Sequence, residues 1–362
     1  RPLVSLAFEG GSIVLLNTVY NKYKTISIVG MAKNSGKTVA LNHLIYEAIE
    51  EDITLGIIST GRDGESIDVV TETEKPKIFA EVGTIIATTT EMLSLSDATV
   101  EIIYVTDYRT PLGEIIIGRV RNSGYIQIAG PQTVNEIKKV SGLMLKLGAE
   151  LVIIDGALDR RASAAPSIAD AAILSTGAVL SRDINKVIEE TIHMVNLFNL
   201  PPIGDYIARE VIQETIYKGQ IAIIDKYLNT KPINIKTALN CGHIIGDHIE
   251  DNSKYVVIPS SLVKNTVEDL INSTRKYKNI DIVVTDGTKI FIGAKDWLKF
   301  IKKGISVKVL NPINLAAITV NPYAPQGYYF EPDNLLGKMR YYIKDIPIVD
   351  VVLGGEQYGI HG

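Results

Sequence analysis

A short apolar run, Thr25-Ile26-Ser27-Ile28-Val29, leads directly into "GMAKNSGKTVALNHL" (Gly30 to Leu44), and a helical pattern follows. This strand–loop–helix order constrains the chain more than any other stretch. A strand that ends in a glycine-flanked loop and reopens as a helix brings backbone N–H groups and the positive helix terminus to one point, which suits phosphate. The general pattern is G-x-x-x-x-G-K-[ST]. Here Gly36-Lys37-Thr38 supplies its end, while the first-glycine position falls on Met31 and Gly30 stands one residue earlier. The chemistry needs inward N–H groups, a lysine for the terminal phosphates and a hydroxyl for Mg²⁺. Lys33, Asn34, Ser35, Gly36, Lys37 and Thr38 are therefore the expected nucleotide-binding residues. Leu41, Leu44, Ile45, Ala48 and Ile49 recur at helical spacing and should form the buried face of the helix.

The natural second half of such a site is "AELVIIDGALDR" (149–160), in which four apolar residues run into Asp155 at the end of a strand. A carboxylate there can hold Mg²⁺ through water. Ligands in open α/β sheets bind outside the carboxyl ends of strands. That rule brings "GIISTGRDGESID" (56–68) to the mouth of the site, with Asp63 as a metal or water ligand and Arg62 as a phosphate contact. It does the same for "QIAGP" (Gly130, Pro131) and for "LSTGAVLSRD" (174–183), where Thr176 and Gly177 are expected beside the base. The catalytic set is thus Lys37, Asp155 and Asp63, and the metal set Thr38, Asp155 and Asp63. Asp107 and Arg109 in "TDYRTPLGE", and Asp159, Arg160 and Arg161, are weaker candidates for switch or substrate contacts. Lys33 precedes Lys37 by four residues, whereas loops with a second, intermonomer lysine space the two by five, so Lys33 reads as a loop charge near phosphate. The guanine-selecting Asn-Lys-x-Asp is absent, since Asn185-Lys186 is followed by Val187-Ile188. ATP is favoured over GTP.

Short Ile/Val-rich runs alternate with helical patterns from residue 24 to 200. Strands are expected at 26–29, 55–59, 101–105, 114–120, 125–129, 151–155 and 171–175. Helices are expected at 36–51, from 75–78 onward, and at 91–95, 133–147 and 184–198. Runs that are apolar on both faces and joined by helices predict a mostly parallel sheet covered on both sides. The pair 114–120 and 125–129 reads as a hairpin. "NLPPIGDY" (199–206) breaks the pattern and is the expected linker. Beyond it, strands are expected at 235–239, 255–258, 282–285, 289–292, 306–309, 316–320 and 348–352, and helices at 211–217, 262–276, 295–303 and 335–342. The fold class is therefore α/β, with a nucleotide-binding domain at 1–200 and a smaller C-terminal α/β domain at 207–362 suited to partner interaction.

Composition narrows the partners. The net charge is −4, from 37 basic and 41 acidic residues, and no polybasic run occurs. Neither nucleic acid nor an anionic membrane is an expected partner. No stretch reaches the roughly 18 apolar residues of a spanning helix. The start, "RPLVSLAFEGGS", lacks the basic region and long apolar core of a signal peptide. A single cysteine, Cys241, excludes an intrachain disulfide and suits a cytoplasmic protein. It reads as a buried structural thiol. His243 and His248 are five apart, without the further ligands a zinc site needs.

The order of strand, loop, Asp155 strand and "STGA" strand resembles the P-loop NTPases on the side that includes dethiobiotin synthetase and the molybdenum-cofactor accessory GTP-binding proteins. The set "GMAKNSGKTVALNHL", "STGRDGESID", "TDYRTPLGE", "IQIAGP", "LVIIDGALDR" and "STGAVLSRD", with "VNPYAPQGYYFEPDNLLGKMR", resembles the P-loop subunit of the reactivase that serves an adenosylcobalamin-dependent lysine aminomutase. That resemblance implies an Mg²⁺- and ATP-dependent chaperone that exchanges damaged cobalamin out of the mutase. Its partners would be a second ATPase subunit, the mutase, or both, and a homodimer is compatible with it. The alternative is an ATP-dependent ligase or kinase of a small metabolite, gripping a carboxylate with Arg62, Asp107, Arg109 or Arg160. A third reading is a binding module with a degenerate loop.

Overall fold

The computed structural model describes residues 14–60, 78–156, 164–235 and 237–352. The chain forms two compact units. One spans Arg1–Ala157, Ile173–Arg182 and Ala316–Gly362, and the other spans Leu158–Ala172 and Asp183–Leu315.

The first unit begins with a 3-10 turn at Leu16–Thr18, whose leading N–H groups, Leu15 and Leu16, donate to the Glu47 carboxylate at 2.9 and 2.6 Å. β1 (Thr25–Gly30), α1 (Lys37–Glu50) and β2 (Leu55–Thr60) follow, then β3 (Ile78–Ala80), β4 (Ile85–Thr89) and the short helix α2 (Thr90–Ser94). Next come β5 (Thr99–Thr110), β6 (Gly113–Asn122), β7 (Gly124–Ile126), α3 (Val134–Lys146), β8 (Leu151–Gly156) and β9 (Ala171–Gly177). α1 buries Leu41, Leu44, Ile45 and Ala48 as the spacing predicts, and Ala40 besides, while Ile49 is exposed instead. α3 starts at a capping box: the Thr133 hydroxyl accepts from Glu136 N–H, and the Glu136 carboxylate accepts from Thr133 N–H. Reciprocal caps of this kind satisfy two otherwise unpaired donors. β8 is fully apolar up to Asp155 because it is paired on both edges, in parallel with β1 and with β2.

The second unit opens with α4 (Ile184–Phe198) and α5 (Tyr206–Tyr217), then β10 (Ala222–Asp225), β11 (Thr230–Pro232) and α6 (Gly242–Asp247). β12 (Ser253–Val257), β13 (Leu262–Val263), α7 (Lys264–Ser273), β14 (Asp281–Val284), β15 (Ile290–Phe291), α8 (Ala294–Lys302) and β16 (Ser306–Val309) complete it. Its sheet runs β11-β10-β12-β14-β16, with β12, β14 and β16 parallel. Strand alternation gives this sheet two apolar faces. Ile223, Val256, Ile282 and Val307 pack with Leu197 of α4, Leu270 of α7 and Trp297 of α8. Ile224, Val257 and Val283 pack with Ala208 and Ile212 of α5.

The chain then returns to the first sheet through β17 (Leu315–Asn321), α9 (Pro332–Tyr342) and β18 (Ile348–Asp350). The nine-stranded order is β18-β17-β9-β1-β8-β2-β4-β6-β5, parallel in its central pairs and antiparallel where β6 meets β4 and β5. The fold is α/β with a large, mostly parallel sheet. Among the described residues no helix is long and apolar enough to cross a membrane.

Three expectations change. The boundary at 200–207 is not where the contacts divide the chain. α4 commits Leu197 to the second core, and residues 315–350 complete the first sheet, so the smaller unit is an insertion rather than a C-terminal domain. The hairpin partner of β6 is β5, joined at a turn where Gly113 has φ +102°, while β7 pairs with β3. Residues 233–235 and 237–239 hold no strand; β10 and β11 stand upstream instead.

Candidate functional site

β1 ends at Gly30, but Met31 N–H still donates to the Ser175 carbonyl of β9 at 2.9 Å. The loop then doubles back. Ser35 N–H donates to the Ala32 carbonyl at 3.3 Å, Asn34 has φ +61° and Gly36 φ +94°. A β-carbon on Gly30 would lie 2.4 Å from Ser35 Oγ and 2.9 Å from Lys37 Cγ. The loop therefore closes over Gly30, which fills the close-approach role that the sequence pattern shifts by one residue. The first intrahelical bond of α1 runs from Ala40 N–H to the Gly36 carbonyl at 2.9 Å. That leaves Lys37, Thr38 and Val39 N–H without intrahelical acceptors, the ordinary condition of a helix start and a favourable one for an anion.

Lys37 and Asp155 meet across two adjacent strands. Asp155 pairs with Ile28 of β1 on one side and Ser59 of β2 on the other. Lys37 Nζ donates to the Gly156 carbonyl at 2.6 Å and lies 3.9 Å from Asp155 Oδ1. The two side chains are 24% and 21% exposed, so the pair stands at the mouth of the site and not in the core. Thr60 Oγ1 approaches the Asp155 carbonyl at 3.5 Å. Thr38 is half-buried one residue further along α1. Among the described residues no group of three His, Cys, Asp or Glu gathers to hold a metal. The Thr38 hydroxyl and Asp155 carboxylate are hard oxygen donors of the kind Mg²⁺ takes when phosphate oxygens and water complete its shell.

On the other flank of the loop stand the ends of β9 and β17. Thr176 and Gly177, expected beside the base, are buried there. A β-carbon on Gly177 would lie 2.1 Å from the Asn321 carbonyl oxygen, and one on Gly36 would lie 3.1 Å from Asn321 Cβ. Asn321 thus packs against both glycines, and its Oδ1 accepts from Tyr323 N–H at 3.0 Å. The chain folds back over residues 322–330, with Phe330 N–H donating to the Pro322 carbonyl at 3.0 Å. Tyr328 OH donates to the Ala178 carbonyl at 2.7 Å, and the Arg182 guanidinium lies 4.9 Å from the centre of the Tyr328 ring. Neither Asn321 nor Tyr328 was singled out from the residues. The available signal was an Asn-Pro pair closing an apolar run, which marks a turn but not its neighbours.

Not every expected residue joins this cluster. Asp107 and Arg109 lie on β5, the edge strand five places from β1, a separation of roughly 24 Å at sheet spacing. Arg109 is paired there with Glu114. Asp63 and Arg62, like Asp159, Arg160 and Arg161, fall outside the described residues. Lys33 is half-buried in the loop, and Asn34 is exposed at its tip. Pro131 and Gly130 are buried over the end of β2. In the second unit Cys241 is partly exposed, not buried, because it caps the start of α6. His248 Nδ1 bonds the Ile244 carbonyl at 2.8 Å. No family model matches this chain, and no curated protein or solved structure matches it.

Proposed function

We propose that this chain is a P-loop protein that binds and hydrolyses Mg²⁺–ATP at the 30–38 loop and couples the nucleotide to a protein client. The observation that carries the reading is Lys37 Nζ standing 3.9 Å from Asp155 Oδ1 at the mouth of a glycine-closed loop. A cation for terminal phosphate and a carboxylate for the metal share one spot, beside the unpaired N–H groups of a helix start.

The nucleotide then has a direction. Lys37 and Asp155 on the β8 side mark the terminal-phosphate end, so the base belongs on the opposite side, against Gly177, Asn321 and Tyr328. Lys37 exchanges the Gly156 carbonyl for a phosphate oxygen. Thr38 and Asp155 would hold Mg²⁺, which supplies charge neutralisation at the phosphates. Asp63 is assigned to orienting the attacking water. Positioning and electrostatics supply nearly all catalysis in phosphoryl transfer.

The client reading rests on the resemblance of seven segments to the reactivase P-loop subunit of an adenosylcobalamin-dependent aminomutase. It is further supported by the inserted second α/β unit, which leaves room for a partner surface on a chain that carries its nucleotide residues in the first unit. The cytoplasm suits both.

The test is a thermal-shift series with Mg²⁺–ATP, Mg²⁺–GTP and no nucleotide, on wild type and Lys37→Ala. A ligand at about 100 times its dissociation constant adds about 2.7 kcal/mol to the folded state. Stabilisation by ATP that is lost in Lys37→Ala is the expected result. No shift in wild type overturns the nucleotide reading. ATP turnover stimulated by a small carboxylate, and not by an inactivated cobalamin enzyme, overturns the client reading alone.

A further inference from the structure

Ser59 is 1% exposed, and its hydroxyl has no hydrogen-bond partner among the described residues. Leaving a buried hydroxyl unpaired is costly, and such groups in native proteins usually serve a water, an ion or a ligand. Ser59 is no stray core residue. It is the register partner of Asp155, in parallel strands, so both side chains leave the sheet on the same side at neighbouring positions. Ser59 and Asp155 make no direct bond, unlike Asp281 and Ser306, parallel register partners of the second sheet that bond at 2.5 Å; with adjacent strands about 4.8 Å apart, one water between the two groups serves both.

Among the described residues the nearest hydroxyl on the neighbouring strand is already engaged. Thr88 on β4, next after Ala87, the register partner of Ile58, donates to the Gln127 carbonyl at 3.0 Å and accepts from Ala129 N–H at 3.2 Å. That exchange pins the 127–131 segment over the end of β2. A β-carbon on Gly130 would fall 1.6 Å from the Ser59 carbonyl oxygen, so the segment lies tight against the Ser59 backbone.

The geometry points to Ser59 as a positioning residue for Asp155: its hydroxyl holds a water that also binds the Asp155 carboxylate, fixing that carboxylate toward Lys37 and a divalent cation. The inference rests on the metal role given to Asp155 above. Outer partners of this kind typically alter metal affinity by about 10–100-fold when removed.

The experiment is calorimetric titration of ATP at graded Mg²⁺ and in EDTA, on wild type, Ser59→Ala, the nearly isosteric Ser59→Cys, Asp155→Ala and the Ser59→Ala/Asp155→Ala double variant. In the serine variants the Mg²⁺ needed for half-maximal tightening should rise about tenfold, with ATP affinity in EDTA unchanged. In the Asp155→Ala background, Ser59→Ala should add nothing. If Ser59→Ala fails to melt cooperatively, Ser59→Cys carries the reading. Serine variants with wild-type Mg²⁺ dependence overturn the inference, as does equal weakening with and without Mg²⁺, or an effect that persists without Asp155. A wild type whose ATP binding ignores Mg²⁺, or an Asp155→Ala variant that keeps its Mg²⁺ dependence, overturns the metal reading and this inference with it.

Discussion

Asn321 stands against Gly36: a β-carbon built on that glycine would lie 3.1 Å from the Asn321 β-carbon and 3.5 Å from its amide nitrogen. Two residues 285 positions apart, the last of β17 and the one that turns the loop into α1, thus define one wall of the candidate site.

Gly36→Ala is penalised twice. At φ +94° a side chain costs about 1–3 kcal/mol of backbone strain, and the new methyl group crowds Asn321. We expect a lower urea midpoint and ATP binding weakened by about tenfold or more, equivalent to about 1.4 kcal/mol or more. Adding Asn321→Gly, which removes the β-carbon at 3.1 Å, should relieve the crowding and leave the strain. A Gly36→Ala protein with the wild-type midpoint and the wild-type ATP affinity would show that the loop does not depend on this backbone.

Much of the framework around the candidate site was legible because it is local. β1, β2, β8 and β9 read correctly from apolar runs, and α1 and α3 from helical patterns, since each signal lies within a dozen residues. Gly36, Lys37, Thr38 and Asp155 followed from them. The rest is non-local. β4 is a five-residue run, Ile85–Thr89, too short to separate from a helix by periodicity, yet it is an interior strand of the sheet. β6 pairs with β5, not with the segment after it, because a sequence does not state which strand a strand will choose. Asn321 reaches the loop only because β17 returns to lie beside β9.

That return makes a prediction about truncation. A chain ending at residue 206 follows the linker suggested by Pro201, Pro202 and Gly204, but it removes β17, α9 and β18 from the first sheet. It also strands Leu197 of α4 without the core it buries against. β9 becomes an apolar edge, a template for aggregation. We expect the 1–206 fragment to be insoluble or to lack a cooperative transition by circular dichroism. Cooperative unfolding of that fragment, with ATP binding intact, would count against the interleaved division.

The second unit carries a built-in acid sensitivity at Asp225. Its carboxylate accepts from Tyr227 N–H and Asn229 N–H, each at 2.9 Å, and from Asn229 Nδ2 at 3.0 Å, which closes the turn between β10 and β11. These bonds, the Asn229 side chain foremost, hold its pKa below the ordinary aspartate value. A depressed carboxylate pKa means that the unfolded chain takes up the proton first. The stabilisation is therefore complete above the unfolded value of about 3.9 and drains away as pH falls through the lower, folded one. Urea midpoints for wild type and Asp225→Ala should differ by a constant amount from pH about 7 to about 5 and converge below about 4. Asp225→Asn, which cannot ionise, should show a flatter acid limb than wild type. A wild-type advantage that holds steady or grows below that pH would mean that the charge on Asp225 contributes nothing and that its carboxyl stabilises the turn equally well when protonated.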